Sequence, residues 1–159
     1  MKTEISGDGL ILKRFEAAFA SALYEAASES CGGEFSRWMP WCHENYSFAD
    51  SESFARGRPE LWEQGSAYVY AIFDHSQTEF LGMISLNQFQ AIHKFVNLGY
   101  WIRVSQQQRG IASRATRLLA KTAFEILPIN RIEILTAAGN LPSQKTAERA
   151  GAGREGILR

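Results

Sequence analysis

The sequence predicts an α/β (α+β) domain: a mixed, mostly antiparallel sheet flanked by helices. Three observations point there. Runs rich in β-branched and aromatic residues stand mid-chain at 67–73, 80–89 and 95–104, and the turn-forming Asp74-His-Ser-Gln77 makes a hairpin of the first two. The strongest helical period follows over Gly110–Ile126, where Ile111, Ala115, Leu118, Leu119, Thr122, Ala123 and Ile126 make one apolar stripe. A strand at Arg131–Ala137, a short helix from Leu141 or Pro142 to Ala150 and a strand at Arg154–Leu158 then complete a β–α–β–α–β alternation.

The elements are read in order as follows. Gly9–Leu12 suits a short first strand. Phe15–Ser28 carries Phe15, Phe19, Leu23 and Ala26 or Ala27 at helical spacing, and Cys31-Gly32-Gly33 ends that helix. Ser36–Ser47 is a loop crowded with aromatics. Its Trp38 and Trp41 either cover part of the core or wall a substrate cleft, since loop aromatics serve both purposes. Ser47 or Asp50 caps a following helix, which Gly57 and Pro59 are expected to divide into Asp50–Arg56 and Pro59–Gln64. The third long strand is apolar on both faces around Tyr100 and Trp101, so both sides of the sheet should be covered. Arg114, Arg117 and Lys121 fall off the stripe of the long helix, and Pro128 stops it.

The 159 residues suit one domain spanning 1–159. Lys plus Arg and Asp plus Glu both number 17, so the basic excess of a general nucleic-acid binder is missing. No stretch has the length and apolarity of a signal peptide or a membrane span. Two cysteines, Cys31 and Cys42, are too few for a disulfide framework, and the expected location is the cytoplasm. No metal site is expected: Cys42–His43 has no second pair of ligands, because His75 and His93 lie far off in sequence without ligand spacing.

The informative segment is Val104-Ser-Gln-Gln-Gln-Arg-Gly-Ile-Ala-Ser113, which leaves a strand and enters the long helix at Gly110. The first amides of a helix lack internal partners and carry the positive end of its dipole, so together they suit a pyrophosphate. Gly110 and the small Ala112 allow close approach, and Arg109 and Arg114 could add charge. Neither a dinucleotide-binding GxGxxG nor an NTPase loop occurs. Taken alone, the segment also reads as an ordinary strand-to-helix turn.

Gln107, Gly110 and Ala112 occupy the three positions of the Gln/Arg-x-x-Gly-x-Gly/Ala motif of the GNAT N-acetyltransferase superfamily, which this sequence resembles. Asn140-Leu-Pro-Ser143 with Ala147-Glu-Arg-Ala-Gly151, and then Arg154–Arg159, resemble later segments of the family in the same order. Leu98-Gly-Tyr-Trp-Ile102 and Ser36-Arg-Trp-Met-Pro-Trp41 are similar to the Rim-type branch, which acetylates ribosomal-protein N-termini, the alanine enzymes among them.

The resemblance implies a GNAT-like sheet with splayed central strands and acetyl-CoA as cosubstrate, without a metal. It implies that main-chain groups of Ile102 and Val104 bind the pantetheine arm. The Gln107, Gln108, Arg109, Gly110, Ile111, Ala112 and Ser113 loop would then hold the pyrophosphate, and the Asn140 side chain a pantetheine amide. Ser143 would protonate the leaving thiolate, although it could merely cap a helix, as Asn140 could merely shape a turn. Trp38 and Trp41 would face the acceptor. Glu34, His43, Glu44 and His93 are the candidates for a base, none singled out. The implied acceptor is a protein N-terminal amine. A small-molecule amine, or a non-catalytic acyl-CoA-binding role, is the alternative, with no direct nucleic-acid or membrane partner.

One departure stands out. The family continues past Arg159 with a turn and a strand that slots between the strands at Arg131–Ala137 and Arg154–Leu158. Its absence leaves an apparently truncated sheet with unpaired edge groups. Either the sequence is part of a longer chain, or another segment or subunit fills the gap; a strand exchanged between two copies of a homodimer is one such repair.

Overall fold

The computed structural model describes residues 1–158. Six strands lie side by side in chain order: β1 (Glu4–Gly7), β2 (Leu10–Arg14), β3 (Tyr68–Asp74), β4 (Phe80–Gln90), β5 (Phe95–Ile102) and β6 (Arg131–Glu133). Neighbours are antiparallel except β5 and β6, which are parallel. The helices are α1 (Ala20–Ser28), α2 (Phe48–Glu63), α3 (Ile111–Ile126) and α4 (Leu141–Arg149).

Strand alternation builds two cores. On one face Val69, Ala71, Phe73, Phe80 and Trp101 pack with Phe15 under Ala20, Leu23 and Ala26 of α1 and Ala55 of α2. On the other, Leu12, Tyr70, Ile72, Ile84, Leu86, Leu98 and Ile102 meet Ile111, Ala115, Leu119 and Ala123, the stripe expected of the long helix. Burial on both faces is what the doubly apolar third strand requires.

Several boundaries differ from the sequence reading, each for a local reason. The first strand pairs with a preceding one, Glu4–Gly7, in which only Ile5 is buried, so no alternation marked it. Asp8 and Gly9, with φ of 52° and 73°, make the tight turn between them. Helix α2 is continuous through Pro59. Its buried Ser51, Ala55 and Trp62 share one face on both sides of the proline, and that burial outweighs one lost amide hydrogen bond. Its N-terminus uses both expected residues, because the Ser47 N–H and hydroxyl donate to Asp50 Oδ2 at 2.8 and 2.7 Å.

The third long strand ends at Ile102, so Val104 belongs to a 3₁₀ turn, Val104–Gln106, and not to a strand end. Arg103 makes the break. Its side chain turns inward, donates from Nη1 to the Phe80 carbonyl at 3.2 Å and pairs with Glu29 past the end of α1. The Arg131 strand stops at Glu133, short of Ala137. Residues 154–158 form no strand, and Ile157 and Leu158 are exposed beyond the edge strand β6. Arg131 Nη1 donates to Glu155 Oε1 at 2.8 Å and tethers the segment by its side chain instead. Cys31 and Cys42, read as too few for a disulfide framework, are bonded to each other (S–S 2.04 Å) and pin the aromatic loop to the end of α1.

Candidate functional site

Strands β5 and β6 pair only through Phe95–Arg131, Val96–Ile132 and Asn97–Glu133. Beyond Asn97 they diverge, while β5 stays paired to β4 as far as Ile102. One edge of β5 from Leu98 onward is therefore free of strand partners. A cavity of about 690 Å³ occupies this gap. Because β5 side chains alternate, the cavity touches both layers: Gly99 and Trp101 face α1 and α2, while Leu98 and Tyr100 face α3 and α4.

Five of the residues singled out from sequence meet there: Trp38, Trp41, His43, Asn140 and Ser143. Trp41 packs on Trp101, Tyr46 and Phe35 with ring centroids 5.4, 5.7 and 6.2 Å apart. It remains 37% exposed, so it serves as wall and core cover at once. Trp38 lies against Gly139, where an added Cβ would come within 3.2 Å of its ring, and it stacks under the Arg37 guanidinium. The disulfide holds the loop bearing both indoles.

Asn140, not Ser143, caps α4: its Oδ1 accepts the Ser143 N–H at 3.1 Å. The Asn140 Nδ2 is left to face the cavity without a partner among the described residues, and the Ser143 hydroxyl is not spent on capping. That hydroxyl lies 3.2 Å from Tyr100 Oη, which donates to the Ser143 carbonyl at 2.9 Å. Burial pushes the Tyr100 phenol up, with the Ser143 hydrogen bond opposing in part.

The loop entering α3 does not line this cavity; it begins where β5 ends. Gln107 turns back, donating from Nε2 to the Ile102 carbonyl at 3.1 Å. That carbonyl, expected to serve a pantetheine arm, is thus already engaged by the loop. Gln108 and Gly110 take left-handed φ of 61° and 70°, which turns successive amides to one side. Among the described residues, the amides of Gln108, Arg109, Gly110, Ile111, Ala112 and Ser113 have no acceptor. Ser113 Oγ donates to the Gly110 carbonyl at 3.0 Å and is occupied within the turn. The side chain of Arg109 lies elsewhere, lining a second cavity of about 300 Å³ with Gln106, Glu79 and Arg114, and that of Ile111 is buried in the core. The unsatisfied donors of this loop are thus main-chain amides, and the Arg109 side chain is turned away from the main cavity.

Of the base candidates, His43 lines the main cavity. His93 stacks on Phe95 at the far β4–β5 turn, Glu44 is exposed away from the cavity, and the side chain of Glu34 lies outside the described residues. Sequence reasoning gave no role at the site to Tyr46, Asp50 or Arg58, which also line the cavity. The Ser47 hydroxyl and N–H hold the Asp50 carboxyl below the usual range, and burial lowers the Arg58 guanidinium. The spacing of Asp50 and Arg58 on α2 marks a helix face but carries no sign that a cavity meets it. Tyr100 could have been found, since alternation along Leu98-Gly-Tyr-Trp-Ile102 turns it toward the helix that bears Ser143.

A family model described as an acetyltransferase (GNAT) domain matches residues 10–153. The ribosomal-protein-serine acetyltransferase of Escherichia coli is 29% identical over 121 residues, covering 76% of this chain and 66% of that protein. The first three curated relatives are matched over only 43%, 66% and 56% of their own length. Among solved structures, RimL, a ribosomal L7/L12 alpha-N-protein acetyltransferase in complex with coenzyme A, superposes with a TM-score of 0.87 at 25% identity, covering 96% of this chain and 85% of that one. The microcin C7 self-immunity acetyltransferase MccE, in complex with acetyl-CoA and AMP, gives 0.83 at 25% identity over 91% and 79%. The mixed sheet and its helices are thus those of RimL-type GNAT structures.

Proposed function

The chain belongs to the acetyltransferase (GNAT) domain family, and from that premise we propose that it moves an acetyl group from acetyl-CoA to a protein N-terminal α-amine. The divergence of β5 from β6 carries this reading. It leaves main-chain donors and acceptors of β5 free for an extended pantetheine arm, between the unsatisfied amides at the start of α3 and the cavity holding Ser143. The residues present fit acetyl-CoA: Gly110 leaves the first turn open, and Asn140 Nδ2 is an available donor. The protein acceptor is supported by the relatives' names, several of which specify ribosomal proteins.

The chemistry asked of the chain is modest. An α-amine, with a pKa near 8, is partly neutral at physiological pH and attacks without strong base assistance. Free amides along β5 stabilise the oxyanion that forms, and orientation in the cavity supplies much of the rate. Ser143 gives a proton to the departing sulfur. We place the reaction in the cytoplasm; no helix is long and apolar enough to cross a membrane among the described residues.

The test is release of free thiol from acetyl-CoA with a panel of N-terminal peptides and small amines. Peptide-dependent release is expected; release with a polyamine alone makes this a small-amine enzyme, and binding of CoA without turnover makes it a binding domain. Ser143→Ala is expected to lower kcat about 100-fold with little change in acetyl-CoA affinity; an unaltered rate across pH excludes it as the proton donor. Trp41→Ala is expected to raise KM for peptide about tenfold while acetyl-CoA affinity holds. A fall in melting temperature with unchanged peptide KM would make Trp41 core cover only.

A further inference from the structure

Resting on that acetyl-transfer reading, we propose that Tyr100 is the ultimate proton source for the leaving thiolate, acting through the Ser143 hydroxyl. The two oxygens are 3.2 Å apart, both residues line the main cavity, and Tyr100 faces the side of the sheet covered by α3, against which α4 packs. At rest the single phenol proton is given to the Ser143 carbonyl at 2.9 Å, which fixes the phenol relative to the first turn of α4; rotation of that O–H toward the nearby Ser143 Oγ sets up the relay. The Asn140 cap on the Ser143 N–H fixes that turn in its place.

Acidity argues for the pair over serine alone. A thiol has a pKa near 8.5 and a phenol near 10, while an aliphatic alcohol is a far weaker acid than either. Transfer from Ser143 alone would leave an alkoxide in a partly buried site. Transfer coupled to Tyr100 leaves a phenolate, which even with burial raising the phenol is a far weaker base than an alkoxide. Burial keeps the phenol protonated at neutral pH, so the donor is loaded before each turnover. The other titratable side chains lining the cavity, His43 and Tyr46 of the aromatic loop and Asp50 and Arg58 of α2, approach from the opposite layer.

The step balances. The amine nitrogen forms its bond to the acyl carbon, and the carbon–sulfur bond breaks with its electron pair on sulfur. Sulfur takes the Ser143 Oγ proton as Ser143 Oγ takes the Tyr100 Oη proton. The nitrogen releases its surplus proton to solvent, and solvent returns one to the phenolate.

The test compares Tyr100→Phe, Ser143→Ala and the double variant by kcat, by acetyl-CoA affinity from calorimetry and by solvent isotope effect. Tyr100→Phe is expected to lower kcat about 100-fold with affinity within about threefold of wild type. The double variant should be within about threefold of the slower single variant, because both residues serve one relay. The wild-type isotope effect on kcat should shrink in Tyr100→Phe. Unchanged kcat with weakened acetyl-CoA binding or a lower melting temperature would reduce Tyr100 to a brace for α4 and overturn the relay, as would multiplicative losses in the double variant. If wild-type protein releases thiol with no amine at all, the acetyl-transfer reading falls and takes the relay with it. Turnover by the wild type with a fully active Tyr100→Phe sinks the relay alone.

Discussion

Gly110→Val is expected to weaken acetyl-CoA binding by at least about 100-fold while the protein still folds. Gly110 has φ 70° and ψ 11° at the entrance to α3, a conformation a β-branched residue resists by about 1–2 kcal/mol. The surroundings are roomy, since an added Cβ would meet only Ser113 Oγ, at 3.9 Å. The folded state therefore loses little more than the backbone penalty. Binding suffers in two ways: the left-handed turn that aligns the amides of Gln108 to Ser113 relaxes, and a branched side chain stands over them. Losing one or two hydrogen bonds to a charged phosphate costs about 3 kcal/mol, or roughly two powers of ten. Calorimetric titration with CoA, beside thermal melts of the free protein, separates the two effects. Unchanged affinity in a folded variant would remove the loop from the binding site.

The largest stability effect should come from Gly82→Ala. Gly82 lies opposite Ile102 in the β4–β5 register with φ 150°. A Cβ there would come within 2.2 Å of the Trp101 carbonyl oxygen and 2.9 Å of Ile102 Cα. Both obstacles are backbone, so β5 must move away from β4 or the hydrogen bonds at this point must break. Close backbone approach of this kind is a recognised reason for glycine within a strand. Combining the strained φ with the displaced strand gives a loss of roughly 2–4 kcal/mol, or a fall of about 5–15 °C in Tm for a chain of this size. Gly57→Ala in α2 is the control, because nothing lies within 4 Å of its added Cβ; there the effect should be neutral or slightly stabilising. A Gly82→Ala melting curve that overlays the wild type would show that β4 and β5 do not pinch as described. Because Tyr100 and Trp101 ride on the displaced strand, Gly82→Ala should also lower kcat.

The sheet and its helices were largely legible because their signals are local. Phe80–Phe89 and Gly110–Ile126 each carry their own periodicity, and both appear within one residue of the expected bounds. The misses lie where neighbours decide. Burial of Trp62 and Ala55 carries α2 through Pro59. The inward turn of Arg103 toward Glu29 ends β5 before Val104. Residues 154–158, read as a strand, pair with nothing in the sheet.

By itself the sequence determined the strand and helix periods and the glycine turn into the long helix at Gly110, each written in contiguous residues, while the family resemblance singled out Trp38, Trp41, Asn140 and Ser143. Tertiary structure decided what those residues do to one another: that Asn140 takes the capping role and leaves the Ser143 hydroxyl beside Tyr100, that the Arg109 side chain turns away from the main cavity, and that Cys31 meets Cys42. Those outcomes depend on distances between segments far apart in the chain, and such distances are fixed only when the two faces of the sheet are buried together.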